Sequence, residues 1–199
     1  MMGGSTNADS TSIVKLIAKG SVGAEIGVWK GSTSEKFVKC KPKKLYLVDA
    51  WSTGPYIKKA EEEGYDLNKY WSRYAKTTGG RDDASFMEHY NSVYKGVCAK
   101  FSKFENVEVR RETSDQFFTT IDDNYLDWIY IDGDHTFTGC YRDLNNAYRV
   151  VKEGGIIICD DYPWSNTGKD GVKMAVDTFA KSTRIPIEKF GNSQAVFKL

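Results

Sequence analysis

Ala24-Glu25-Ile26-Gly27-Val28-Trp29-Lys30-Gly31-Ser32-Thr33-Ser34-Glu35, followed shortly by Leu45-Tyr46-Leu47-Val48-Asp49, is the stretch on which the fold turns. Ala24 to Val28 is a short, largely apolar run bounded by glycines, the pattern of a buried strand. Ser32 stands three residues before Glu35, a capping-box spacing that predicts a helix starting at Ser32. Leu45 to Val48 is a second buried strand, ending at Asp49. A strand, a glycine turn, a helix and a strand within about 26 residues open a βαβ unit, so a parallel sheet is predicted.

The same alternation returns downstream. Val107 to Arg110 reads as a strand, Asp115 to Ile121 as a short helix, and Asp127 to Ile131 as a buried strand ending at Asp132. Thr138 to Val151 has helical spacing, with Gly154-Gly155 expected to stop it. Ile156 to Cys159 is a strand ending in Asp160-Asp161, and Lys169 to Lys181 the next helix. The tail differs: Ile185 to Phe190 and Gln194 to Leu199 are joined only by Gly191-Asn192-Ser193, too short for a crossover helix, so the last strand must run antiparallel. The expected fold is therefore α/β, a doubly wound and mostly parallel seven-stranded sheet with an antiparallel C-terminal strand. Between the second and third strands, Trp51 to Lys100 is rich in Tyr, Lys and Glu and far longer than an ordinary connection. Asp83 to Phe101 within it places Phe86, Tyr90, Val93, Tyr94 and Val97 on one helical face. The whole is expected to be one domain, with residues 51–100 a partly helical, aromatic-rich excursion over the sheet edge.

Composition narrows the function classes. The 199 residues are 40% hydrophobic and 14% aromatic, enough for a sizeable core. Twenty-eight Lys and Arg against 27 Asp and Glu leave a net charge of +1, which argues against sequence-independent nucleic-acid binding. Apolar stretches such as Gly154 to Cys159 are too short for a membrane span, and Met1 to Ser12 reads as a small, polar, frayed leader rather than a secretory signal. Cys40, Cys98, Cys140 and Cys159 are scattered and suggest neither a disulfide framework nor a zinc knuckle, so a reducing compartment, the cytoplasm, is expected.

Ligands of parallel sheets sit outside the carboxyl ends of the strands. Those ends read Gly27 to Gly31, Asp49, Asp132-Gly133-Asp134-His135 and Asp160-Asp161: acids close three strands in succession. Gly27 and Gly31 would let backbone approach a ligand, with the positive end of the following helix aimed at it. A nicotinamide-dinucleotide fingerprint needs glycines at the first, third and sixth positions, and Trp29 and Ser32 occupy two of them. Asp49 is placed to accept ribose hydroxyls, in NAD or in another adenosine cofactor alike, or to cap a turn. Asp132, Asp134, Asp160 and Asp161 would converge if their strands are neighbours, and carboxylates so placed call for a compensating cation or proton. Oxygen donors favour Mg²⁺, Mn²⁺ or Ca²⁺. Asp134 equally fits a helix cap. His135 is placed either as a base near neutral pH or as a structural histidine.

At these residues the sequence resembles a class I S-adenosylmethionine-dependent methyltransferase. Within that class it is similar to metal-dependent small-molecule O-methyltransferases, particularly the macrocin-type sugar O-methyltransferases. The resemblance runs from about Val22 to Leu199 and is weakest over Trp51 to Lys100. Glu25 to Thr33 resembles the first cofactor motif, with Trp29 at its middle glycine, and Leu47-Val48-Asp49 the second. Tyr130-Ile131-Asp132-Gly133-Asp134-His135 is the most specific match, supported by Tyr141-Arg142-Asp143-Leu144, Lys152-Glu153-Gly154-Gly155, Asp160-Asp161-Tyr162 and the final hairpin. The resemblance implies S-adenosylmethionine as cofactor, bound by Glu25, Gly27, Gly31, Asp49 and Asp132. Thr113 and Ser114 fall at the adenine contact, although Thr113 replaces the usual acid. It also implies Mg²⁺ or another hard divalent cation on Asp132, Asp160 and Asp161, with His135 as catalytic base and Asp134 its competitor. The implied partner is a small-molecule hydroxyl acceptor, a sugar or a related natural product, with neither nucleic acid nor membrane involved and a homodimer compatible. Alternatives are a catechol-like or phenolic acceptor, or a nucleotide- or NAD-dependent enzyme on a related sheet.

Overall fold

The computed structural model describes residues 13–64, 66–162, 171–191 and 193–199. Met1 to Ser12 and the predicted helix start at Lys169 lie outside them. Seven strands form one sheet: β1 (Val22–Ile26), β2 (Lys44–Asp49), β3 (Val107–Arg111), β4 (Leu126–Ile131), β5 (Val151–Cys159), β6 (Glu188–Phe190) and β7 (Gln194–Lys198). Their spatial order is β3-β2-β1-β4-β5-β7-β6. β1 to β5 pair in parallel, and β7 runs antiparallel to both β5 and β6, as the short tail connection requires. The winding direction reverses between β1 and β4, so the carboxyl ends of these two strands bound the crevice where ligands of such sheets bind.

The helices are α1 (Ser34–Lys39), α2 (Gly54–Glu63), α3 (Leu67–Thr78), α4 (Asp83–Phe101), α5 (Ser114–Thr119), α6 (Phe137–Val150) and α7 (Gly171–Thr183), after a 3₁₀ turn at Val14–Leu16. Successive side chains of a strand point to opposite faces, and here both faces are covered. Ala24, Ile26, Ile129 and Ile131 pack with Leu144, Ala147, Val176 and Phe179 of α6 and α7. Leu45, Leu47, Trp128 and Tyr130 pack with Phe37 of α1, Trp71 of α3, and Phe86 and Val97 of α4. Among the described residues, no helix is long and apolar enough to cross a membrane, and all four cysteines are free.

Three local expectations are revised. The first helix starts at Ser34, not Ser32, and no side chain caps it. Residues 31–33 form a turn with Gly31 at φ +74°, the Ser34 hydroxyl turns inward to donate to Glu25, and Glu35 pairs with Lys100 at 3.2 Å. The Gly154-Gly155 pair does not stop α6, which ends at Val150 and passes directly into β5. The pair forms a bulge instead: Leu126 faces Val151 but Trp128 faces Ile156, and a Cβ on Gly155 would meet the Asp127 carbonyl oxygen at 2.8 Å. Finally, the excursion is helical almost throughout. Asp66 and Asp82 cap the starts of α3 and α4, and Gly64 and Gly79 take the left-handed conformation that ends α2 and α3.

Candidate active site

The carboxyl ends of β1 and β2 are tied together through Asp49. Its Oδ2 accepts from the Trp29 N–H at 2.9 Å and its Oδ1 from the Trp51 N–H at 2.8 Å. The Trp51 indole in turn donates to the Trp29 carbonyl at 2.9 Å, and Arg111 donates to the Trp51 carbonyl at 2.8 Å. Trp29 and Trp51 both hold positive φ, 51° and 39°, a costly conformation for non-glycine residues that persists because these bonds over-determine it. Burial pushes the Asp49 carboxyl up from its ordinary range, and the backbone amides partly offset this. Each oxygen keeps a lone pair for a hydroxyl donor such as a ribose diol. Glu25, 1% exposed in the middle of the sheet, is raised well above the usual range by burial; the Ser34 hydroxyl pulls the other way, and the charges of Asp132 and Asp49 add to the rise.

Gly27 and Gly31 are also required by packing within the chain. A Cβ on Gly27 would sit 2.1 Å from the Asp132 carbonyl oxygen, and one on Gly31 would sit 2.7 Å from the Phe101 ring. The first closes β1 onto the end of β4; the second lets the turn pass over α4.

Across the switch point, Asp132, His135 and Asp161 come together, with one ligating atom from each lying within 4.8 Å of the others. His135 Nε2 is 3.2 Å from Asp132 Oδ1 and 3.6 Å from Asp161 Oδ2. The hydrogen bond to Asp132 holds His135 up at about 9, burial working against it and the charges of Asp132 and Asp161 with it. The ring is 45% exposed, so solvent screens part of this. Asp132 is pushed up to about 6, chiefly by burial, with the His135 bond opposing. When protonated, the His135 ring places a positive charge between the two carboxylates.

Asp160 takes a different place from its neighbour. It continues the face of Ile158 and accepts from Tyr130 at 2.5 Å, Gln194 at 2.7 Å and Ser193 at 3.1 Å. Asp161, at φ +61°, swings back toward β4. Asp134 is also committed. Its Oδ1 accepts from the Thr136 N–H at 2.9 Å, and its Oδ2 lies 2.5 Å from Lys59 Nζ on α2. Burial alone would raise the Asp134 pKa, but Lys59 and the Thr136 amide outweigh it, and the net shift is downward, away from a base. Thr113 and Ser114 stand at the start of α5: Thr113 caps the helix in a reciprocal box with Gln116, and the Ser114 hydroxyl donates to Asp143 at 2.7 Å.

Two residues were given no role by the sequence reading, although Asp143 lies in the matched stretch Tyr141 to Leu144. Lys59 lies in the excursion, one helical turn after Tyr56, and only the fold shows what it faces. Asp143 left a signal: it stands between Cys140 and Ala147 on the inward face of α6, where an acid must find a partner.

Residues 24–162 match the model of a methyltransferase domain, a span that contains the Asp49 loop and the 132–135 and 160–161 clusters. The chain belongs to that methyltransferase domain family. Several solved structures share the methyltransferase's fold at low sequence identity. The O-methyltransferase NovP superposes with a TM-score of 0.61 at 16% identity, over 95% of this chain and 75% of that one. SMU.1697c of Streptococcus mutans, solved in complex with SAH, gives 0.59 at 11%, over 96% and 95%. The N-methyltransferase NodS of Bradyrhizobium japonicum gives 0.57 at 12%, over 94% and 89%. No curated protein matches the methyltransferase's sequence. Membership sets aside the nicotinamide-dependent alternative.

Proposed function

We propose that this methyltransferase moves a methyl group from S-adenosylmethionine to a hydroxyl of a small-molecule acceptor, a sugar or a related natural product, with a divalent cation assisting. The observation that carries the reading is the meeting of Asp132, His135 and Asp161 across the switch point from the Asp49 loop.

The residues fit both absent groups. Asp49 presents a braced carboxylate for a ribose diol, and its N–H donors leave it free acceptor capacity. Asp132 and Asp161 bring carboxylate oxygens within 4.8 Å of each other, hard donors that Mg²⁺ or Mn²⁺ can use, with the His135 ring equally close beside them. Bound here, S-adenosylmethionine would supply an electrophilic methyl on a sulfonium, and a cation on Asp132 and Asp161 would supply Lewis acidity. His135, half-exposed beside Asp132 and Asp161, is the side chain placed to accept the hydroxyl proton. Asp160 and Tyr130 hold the end of β5 in register with the C-terminal hairpin and so fix Asp161. The exposed Trp29 ring, 41% accessible and set against His89 and Tyr90, offers a flat face to an acceptor ring. Because methyl transfer is an in-line displacement, orientation by these groups supplies much of the acceleration.

Calorimetric titration with S-adenosylmethionine, repeated with Mg²⁺ and with EDTA, tests the reading. Micromolar binding of the cofactor and a cation-dependent heat are expected. No binding in either condition would overturn it.

A further inference from the structure

Helix α2 lies across the crevice. Tyr56 and Lys59 are three residues apart and share one face of this helix. α2 starts at Gly54, a few residues after β2 ends and just beyond the Trp51 N–H bond to Asp49, whereas Lys59 contacts Asp134 beyond the end of β4. β2 and β4 flank β1 on opposite sides, so a helix that reaches both passes over the end of β1, where cofactor and acceptor must enter.

Its two sides are held by different chemistry. On the β2 side, the Tyr56 ring stacks on Tyr70 of α3 with centroids 4.2 Å apart and planes 23° apart, and the Tyr70 and Tyr90 hydroxyls are 2.6 Å apart. That side is part of the aromatic core shared with α3 and α4. On the β4 side there is the ion pair, Lys59 Nζ to Asp134 Oδ2 at 2.5 Å, with the two side chains only 19% and 23% exposed. Asp134 is a fixed anchor. The Thr136 N–H holds its other oxygen, and its carboxyl fills the notch left by Gly139, where a Cβ would come within 2.2 Å of it.

We propose that Lys59 is the positioning residue that fastens α2 over the cofactor crevice, and that Asp134 serves as its anchor rather than as the base. The proposal rests on the methyl-transfer reading for what the crevice holds, but not for the fastening itself. An aromatic contact on one side and an ion pair on the other make a roof whose β4 side is held by the pair. When the pair parts, the crevice opens toward His135 and Asp161; when it forms, water is excluded there.

The experiment measures amide hydrogen exchange over residues 54–63 in the full-length wild type and in Lys59→Met, Lys59→Arg, Asp134→Asn and the double variant Lys59→Met/Asp134→Asn. It is paired with stopped-flow binding and release of S-adenosylmethionine. Lys59→Met should speed exchange in this segment about tenfold, with residues 67–78 little changed, and should speed both cofactor entry and release. Lys59→Arg should restore slow exchange, and the double variant should exchange no faster than Lys59→Met alone, which a loss of packing alone would not give. Unchanged exchange in Lys59→Met, no recovery in Lys59→Arg, or additive effects in the double variant would overturn the proposal. Failure of the wild type to bind S-adenosylmethionine would instead overturn the methyl-transfer reading, and exchange over 54–63 would still decide the fastening.

Discussion

Gly27 and Asp132 touch backbone to backbone: a Cβ on Gly27 would lie 2.1 Å from the Asp132 carbonyl oxygen, and Gly27 itself holds φ +92°. The contact brings the ends of β1 and β4 together, so the turn from Gly27 to Gly31 and the acidic cluster share one wall. A side chain at Gly27 therefore meets both a strained dihedral and a main-chain clash that no rotamer relieves. Gly31→Ala meets the same kind of dihedral, φ +74°, but only a ring edge, that of Phe101 at 2.7 Å. Gly27→Ala should destabilise by roughly 3–5 kcal/mol, in the range reserved for severe backbone conflicts, and Gly31→Ala by about 1–2 kcal/mol. Urea denaturation of both variants checks the order; equal losses would remove the special place given to the Gly27–Asp132 contact.

Asp160 and Asp161 are adjacent in sequence yet separate in role. Asp160 accepts three hydrogen bonds from β4 and the C-terminal hairpin, whereas Asp161 faces His135 and Asp132. Asp161→Asn should therefore cut Mn²⁺ affinity at least about tenfold with little change in stability. Asp160→Asn should do the reverse, costing about 1–3 kcal/mol because an amide cannot accept all three bonds. Titration followed by electron paramagnetic resonance, together with thermal melts, separates the two. Cation affinity lost equally in both variants would return Asp160 to the ligand set.

Much of this was legible in the chain, for identifiable reasons. Strands such as Ile156 to Cys159 are buried on both faces and show as plain apolar runs, so the sheet and its antiparallel end could be placed. The acids followed, because strand ends mark the crevice. What failed was local geometry set by distant partners. Ser32 and Glu35 have capping-box spacing, but Glu35 finds Lys100 and no side-chain cap forms. Gly154-Gly155 reads as a helix stop, yet its purpose is set by pairing with β4 and by the Leu199 carbonyl, which accepts from the Gly154 N–H at 2.9 Å. The divergence of Asp160 from Asp161 depends on a left-handed backbone at a non-glycine residue, for which sequence carries no signal. Lys59 is one of many lysines in a charged segment until α2 is laid across the sheet.

Asp143 offers a test by pH. Burial pushes its carboxyl up to about 7 from an ordinary 3.8, with the Ser114 hydroxyl pulling the other way. The folded chain thus keeps a proton that the unfolded chain has released, and this contribution to stability falls as pH rises from about 4 to 7. Asn at this position keeps an oxygen for Ser114 and carries no charge. Asp143→Asn should therefore gain stability over wild type between pH 5 and pH 8, by on the order of 1–2 kcal/mol. Melting curves of both proteins at the two pH values supply the comparison, since other titrating groups cancel in the difference. A gap that does not widen toward pH 8 would mean that Asp143 stays ionised in the folded protein.

His135 and Asp134 are neighbours in sequence, and both suit a base by residue type. The geometry separates them: Asp134 is held by Lys59 and the Thr136 N–H, while the His135 ring stands half-exposed at the crevice edge with one nitrogen toward Asp132 and Asp161. His135→Gln should lower methyl transfer by about 10²–10⁴-fold and leave S-adenosylmethionine affinity within about threefold, because the Asp49 loop is untouched. Asp134→Asn should cost far less in turnover under saturating acceptor, since it loosens α2 without removing the proton acceptor. Single-turnover rates with a hydroxyl acceptor, alongside cofactor titrations, measure both effects. Loss of cation binding in His135→Gln would make the imidazole a ligand, and a larger loss in Asp134→Asn than in His135→Gln would move the base to Asp134.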